Sequence, residues 1–325
     1  MRLAEQYRRF AELEARGRSP LYEVLAQGVA GDMVCLDFLA TLPEAMQQPN
    51  LLFAALRHVC GTPRDWAEFR TQLAANAEAI RATMLARRTQ TNEVGRCATL
   101  LPALAQLPQP LALIEVGASA GLCLLPDRYG YDYGTHRLAA PTDAAPVLRC
   151  RAGSGTPLPA ALPHVVWRAG LDLDPVDLSD AAQRAWLETL VWPEQTDRLQ
   201  RLRAAMAVAQ EDPPRVVRGD LRTDLPALAH EAPADATLVV FHSAVLAYLP
   251  DGAARAAFAR CVRDLGAVWI SNEAPGVFPA LRERLTGRGS PGAFLLAVDG
   301  NPVAWTDAHG AWIDWIEPQR EARTS

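Results

Sequence analysis

The chain has 325 residues, half of them hydrophobic, enough to bury a sizeable core in one or two domains. A formal net charge of −5 argues against a nucleic-acid-binding protein and selects no other class of partner. Residues 1–10 mix charges with apolar side chains, and Cys35, Cys60, Cys97, Cys123, Cys150 and Cys261 include no Cys-x-x-Cys pair. The expectation is therefore a cytoplasmic chain without secretion signal, membrane span, zinc knuckle or disulfide framework.

Before residue 109 the apolar spacing is helical, over 3–15, 51–56, 66–85 and 94–104, with prolines at 20, 43, 49, 63 and 108 as punctuation. Residues 1–108 are accordingly expected to form an all-helical region. From 109 to 325 the rhythm changes to strands alternating with helices. The predicted strands are 111–116, 165–167, 215–217, 237–241 and 267–270, and the predicted helices are 181–191, 196–210 and 252–264. The tail, 293–298, a turn at Asp299-Gly300-Asn301-Pro302, and 303–305, reads as an antiparallel hairpin, extended by 311–315. Residues 129–160, rich in Gly, Pro and Tyr, read as an irregular insertion with a possible hairpin through 131–133 and 147–150. The fold class is α/β: a mostly parallel sheet with a C-terminal antiparallel hairpin and an N-terminal helical region.

The first strand ends in Glu115-x-Gly117-x-Ser119-x-Gly121, and Leu122 onward is expected to start a helix. Read as a nucleotide loop, these small residues let the backbone approach a ligand at that helix N-terminus. Read as Gly117-x-Ser119-x-Gly121, the same residues form a serine-hydrolase nucleophile elbow. The elbow lacks its upstream half, because no strand precedes residue 111, although Asp299 and His309 can be nominated as triad partners. Asp172 closes the second strand, where a carboxylate takes both hydroxyls of a ribose, and Asp220 closes the third, where one accepts from an adenine amino group. His242-Ser243 and Asn272-Glu273 fall just beyond the fourth and fifth strands, with Tyr248 farther on. His242 is either a neutral base or a hydrogen-bonded tie at the strand end. Arg88 or Arg96 is a candidate partner for a ligand carboxylate, Thr91 or Asn92 a helix cap, and Trp186 and Trp192 core material.

In this order, with Gly170-Leu-Asp172-Leu-Asp-Pro175, Gly219-Asp220 and residues 235–249, the chain resembles the class I S-adenosylmethionine-dependent methyltransferases. Through Gln90-Thr-Asn-Glu-Val-Gly-Arg96, Leu190-Val-Trp-Pro-Glu-Gln195 and Trp269-Ile-Ser-Asn-Glu273 it resembles more closely a bacterial family, domain of unknown function 2332. The methyltransferase resemblance implies a Rossmann-like, seven-stranded sheet ending in an antiparallel pair, S-adenosylmethionine as cofactor, and a small-molecule acceptor. It places Glu115, Gly117, Ser119 and Gly121 by the methionine part, with Arg96 as a carboxylate partner, Asp172 at the ribose and Asp220 at the adenine. His242, Asn272 and Tyr248 then face the methyl group. Two departures are Ser119, where the superfamily often has glycine, and the long gap between the loop and Asp172. A noncatalytic adenosyl-binding protein and an NAD-dependent oxidoreductase are the other classes, the latter lacking the third glycine of Gly-x-Gly-x-x-Gly.

Overall fold

The computed structural model describes residues 2–285 and 289–316. The chain divides into two compact units, Met1–Thr91 with Asp180–Gln200, and Asn92–Ser179 with Arg201–Ser325. This division differs from a boundary near residue 108. The helix Arg96–Leu104 belongs to the second unit, and Ala181–Leu190 returns to the first.

The first unit is helical, with helices Arg2–Phe10, Pro20–Gly31, Met33–Ala40, Pro49–Cys60, Trp66–Ala75, Ala77–Ala86 and Ala181–Leu190. Local chemistry fixes their ends: Ser19 accepts from the Tyr22 amide ahead of Pro20, and Asp65 accepts from the Glu68 amide. The single helix expected over 66–85 is two helices, broken at Asn76, whose side chain donates to the Gln72 carbonyl. Phe53 is the hub of the core, 4.8 Å from the Tyr22 ring and 5.7 Å edge-on to Phe69. Trp186 and Trp192 belong to this core, their indole N–H groups donating to the Arg88 carbonyl and the Asn50 side chain. Arg57 ties the same region by donating to the Thr189 and Val191 carbonyls.

The second unit is mixed α/β, with twelve strands among the described residues. They are β1 (Leu111–Val116), β2 (Gly130–Asp132), β3 (Arg137–Leu138), β4 (Val147–Arg149), β5 (Arg151–Ala152) and β6 (Val165–Asp172). The remainder are β7 (Arg215–Arg218), β8 (Thr237–Ser243), β9 (Val268–Glu273), β10 (Phe294–Val298), β11 (Asn301–Thr306) and β12 (Trp312–Trp315). Nine form one sheet in the order β5-β12-β11-β10-β9-β8-β1-β6-β7. Strands β7, β6, β1, β8 and β9 run parallel, and β10, β11 and β12 follow as an antiparallel meander directly beside β9. The sheet is thus larger than the seven strands the resemblance implies.

The chain adds β6 and β7 on one side of β1 and β8 and β9 on the other, so the order reverses between β1 and β8. Crevices at such reversals, outside the carboxyl ends of the strands, are where open α/β sheets hold ligands. One face of the sheet packs Ile114, Val116, Leu171 and Val240 against Phe258 and Val262 of the helix Gly252–Asp264. By strand alternation, Glu115 lies on the opposite face. The tail hairpin forms as expected, turning at Asp299 and Gly300, both with positive φ.

Two expectations change here. No α-helix follows the glycine loop; Leu122–Leu124 is one 3₁₀ turn. The insertion forms a small sheet in which β2 pairs antiparallel with β3 and parallel with β4, rather than a hairpin between 131–133 and 147–150. Gly and Pro leave this segment without period-2 patterning, so its pairings depend on the surrounding packing. No helix among the described residues is long and apolar enough to cross a membrane.

Candidate functional site

The glycine loop is held from within. Gly117 and Ala118 N–H groups meet the Leu171 carbonyl at 2.7 and 3.4 Å, and the Gly121 N–H meets the Ala118 carbonyl at 2.7 Å. The Ser119 amide donates to Asp172 Oδ2 at 2.8 Å, and the Ala120 amide to Asn92 Oδ1 at 3.1 Å. All five loop N–H groups are therefore engaged by the protein, whereas an anion cradle aims such groups at its ligand. With no α-helix behind it, the loop also lacks the dipole that assists phosphate binding. Gly117 is required because φ is +72° and a Cβ would lie 2.4 Å from Val245.

Ser119 itself has φ of +51° and is almost fully buried, and its Oγ accepts from Asn92 Nδ2 at 3.0 Å. Asn92, read from sequence as a possible helix cap, instead grips the loop with both ends of its amide. A nucleophile elbow needs an accessible hydroxyl beside an imidazole base and a following helix. Accordingly, a fluorophosphonate probe is expected to leave Ser119 unmodified by mass spectrometry; an adduct on this residue would restore the hydrolase reading.

Asp172, the last residue of β6, is half-buried and accepts from the Ser119 and Asp174 amides, leaving about two of its four lone-pair sites. Leu173, next to it, is 69% exposed. Asp220 lies after β7, where the Arg222 guanidinium grips it and holds its carboxyl below the ordinary range. Glu115 is buried on β1. Burial pushes its carboxyl well above the usual range, nearby Cys123 and Asp172 add to the rise, and Arg96 opposes it. Arg96 is itself buried, its Nε donating to the Ala308 carbonyl and Nη1 to the Ser243 carbonyl, both at 3.0 Å. Arg88 is elsewhere, in the first unit, donating to the Leu85 and Arg87 carbonyls.

His242 and Asn272 lie inside β8 and β9 rather than beyond them, and both are fully buried. His242 Nε2 accepts from Trp269 Nε1 at 3.0 Å, so the network assigns its proton to Nδ1, which donates to Glu273 Oε1 at 2.7 Å. No lone pair is left for a base, and the geometry is that of a strand-end tie. Glu273 Oε1 also receives the Val245 and Leu246 amides. Burial would raise this carboxyl, but the hydrogen bonds from His242, Leu246 and Val245 outweigh it and hold Glu273 below its ordinary value. Tyr248, 84% exposed, stands apart from the buried groups.

Strand alternation puts Ser243 and Asn272 on the face opposite His242 and Glu273, the face of Glu115. Ser243 and Asn272 are register partners in adjacent strands, and Glu115 is paired with Phe241, two residues before Ser243. Asn272 Oδ1 accepts from Thr306, but Asn272 Nδ2, Ser243 Oγ and Glu115 Oε2 are buried without a hydrogen-bond partner. This row was not legible in the sequence as a set. Ser243 was noted only beside His242, and period-2 alternation at the strand ends was the signal that groups it with Asn272. Among the described residues, no group of three or more His, Cys, Asp or Glu is placed to hold a metal ion.

Residues 4–315 match the model of the family described as "Uncharacterized protein conserved in bacteria (DUF2332)", and the chain belongs to that family. Neither the curated proteins nor the solved structures searched contain a match.

Proposed function

We propose that this member of the DUF2332 family binds S-adenosylmethionine at the carboxyl edge of β6, β1, β8 and β9 and transfers its methyl group to a small molecule. The observation that carries the reading is the row of unpartnered buried atoms, Glu115 Oε2, Ser243 Oγ and Asn272 Nδ2, beside the reversal of strand order. Each such group costs about 1–3 kcal/mol when left unpaired, so three at one edge argue for a polar ligand that completes them. The engaged loop amides select against a diphosphate. That favours an adenosyl cofactor without phosphate over NAD.

The residues present fit such a cofactor. Glu115 would meet its ammonium, the Nη2 edge of Arg96 its carboxylate, and the two remaining lone-pair sites of Asp172 its ribose hydroxyls. Exposed Leu173 offers an apolar surface to the adenine, and Asp220 an acceptor to its amino group. Gly117, Ser119 and Gly121 shape the loop rather than donate to the ligand. When bound, the cofactor supplies an electrophilic sulfonium methyl, so the protein's task is positioning and exclusion of water. Ser243 Oγ and Asn272 Nδ2 would orient the acceptor, Tyr248 would touch it from the exposed side, and His242 would hold the strand ends. The engagement of both His242 nitrogens is also what favours the second reading, a noncatalytic adenosyl-binding protein.

Calorimetry tests the cofactor assignment. S-adenosylmethionine or S-adenosylhomocysteine is expected to give binding heat where NAD gives none; tight NAD binding with no heat from either adenosyl compound would remove the reading. Because burial pushes the Glu115 carboxyl well above its ordinary range, affinity for the cationic ammonium should rise with pH as this carboxyl ionises. Glu115→Gln should remove that rise.

A further inference from the structure

Strand β10 begins, and β11 ends, at the same sheet edge as the carboxyl ends of β8 and β9, because Leu295 pairs antiparallel with Glu273 and Phe294 with Thr306. A groove of about 470 Å³ opens there, reached from Glu273 through Ala274 and Pro275. Its volume lies within the range of about 300–1,000 Å³ typical of small-molecule sites. Trp305, on the face of Glu273, supplies an aromatic wall, and Phe294, on the opposite face, lines the rim where the strand begins. The indole is seated against the chain at Gly289, where a Cβ would lie 2.4 Å from Trp305 Cε3. Phe294 joins the groove to the buried row, since the Arg96 guanidinium, which grips the Ser243 carbonyl, stands 6.0 Å from its ring centroid.

Among the described residues, one charged side chain lines the groove, Arg282. It is half-buried, and among the described residues its guanidinium has no hydrogen bond or ion pair. Arg255, by contrast, is occupied at this edge, donating to the Leu246, Leu249 and Val277 carbonyls. A guanidinium at an aromatic wall matches a carboxylate on a flat apolar body. We infer that the groove takes the body of the methyl acceptor and that this acceptor is a small apolar carboxylic acid, anchored by Arg282 with its planar part against Trp305. The inference rests on the methyltransferase reading for the word acceptor; the groove's preference for an acid does not depend on it.

The test is an NMR titration of the full chain with phenylacetate and with phenylacetamide, following the Trp305 indole N–H signal assigned through Trp305→Phe. Phenylacetate is expected to bind at least tenfold more tightly than the amide. Arg282→Gln should erase the preference and Arg282→Lys keep part of it, while both bind S-adenosylhomocysteine as the wild type does. Equal binding of acid and amide, no binding of either, or a preference that survives in Arg282→Gln overturns the inference. If the wild type shows no binding of S-adenosylhomocysteine but keeps the acid preference, the cofactor reading fails and the acid-binding groove stands.

Discussion

Replacing Asp172 by alanine is expected to weaken S-adenosylhomocysteine binding at least tenfold, read by calorimetry on protein whose fold is checked by circular dichroism. Two losses combine. The ribose hydroxyls lose a charged acceptor worth about 1.5–3 kcal/mol per hydrogen bond. The Ser119 amide, 2.8 Å from Asp172 Oδ2, loses its partner in a loop whose Ser119 occupies the left-handed region. Asp172→Asn keeps an acceptor oxygen for that amide and should fall between alanine and wild type. If Asp172→Ala binds as the wild type does while folded, the ribose is not held here. Asp174 is the next carboxylate along, although it already pairs with Arg218 at 2.9 Å.

His242→Ala is expected to act on stability more than on cofactor affinity. It removes a fully buried ring and leaves the Trp269 indole N–H without its acceptor and Glu273 Oε1 short of one donor. The cavity and the orphaned groups together cost roughly 2–4 kcal/mol, visible as a lower urea midpoint. The pH dependence has a definite sign. Glu273 is depressed in the folded state, so its contribution is complete above the unfolded glutamate value of about 4.3 and is lost as pH falls through the lower folded value. Wild type should therefore lose stability across that acid window more steeply than Glu273→Gln. A His242→Ala variant with unchanged urea midpoint and abolished methyl transfer would reverse the assignment and make the imidazole part of the chemistry.

Asp172 and Glu273 are the same device used twice. Each is the last residue of a strand, and each carboxylate accepts from the turn leaving the neighbouring strand, Asp172 from the Ser119 amide and Glu273 from the Val245 and Leu246 amides. Each of those turns contains a non-glycine residue with positive φ, Ser119 at +51° and Ala244 at +59°. Such conformations persist where surrounding hydrogen bonds over-determine them, and they gather at ligand sites.

Local sequence was enough to read the parallel strands, the helices at 181–190 and 252–264, the tail hairpin and the acids at the strand ends. Each of these is written in local periodicity, in turn residues such as Asp299-Gly300, or in the residue closing an apolar run. Tertiary structure alone decided what those residues face. An imidazole next to last in a strand reads the same whether its lone pair is free or taken, and Trp269, 27 residues away, decides that His242 is a tie. Asn92 and Arg96 are similar cases, because their partners Ser119, Ala308 and Ser243 are distant in sequence and no local pattern encodes them. The 3₁₀ turn after Gly121 has the same origin. Leu122–Leu124 is apolar enough for a helix, but all three side chains are buried and the chain proceeds into the small β2-β3-β4 sheet, so packing overrides propensity. Neither does a sequence disclose which polar atoms lack partners; that follows only when β1, β8 and β9 lie side by side and water is excluded from Glu115, Ser243 and Asn272.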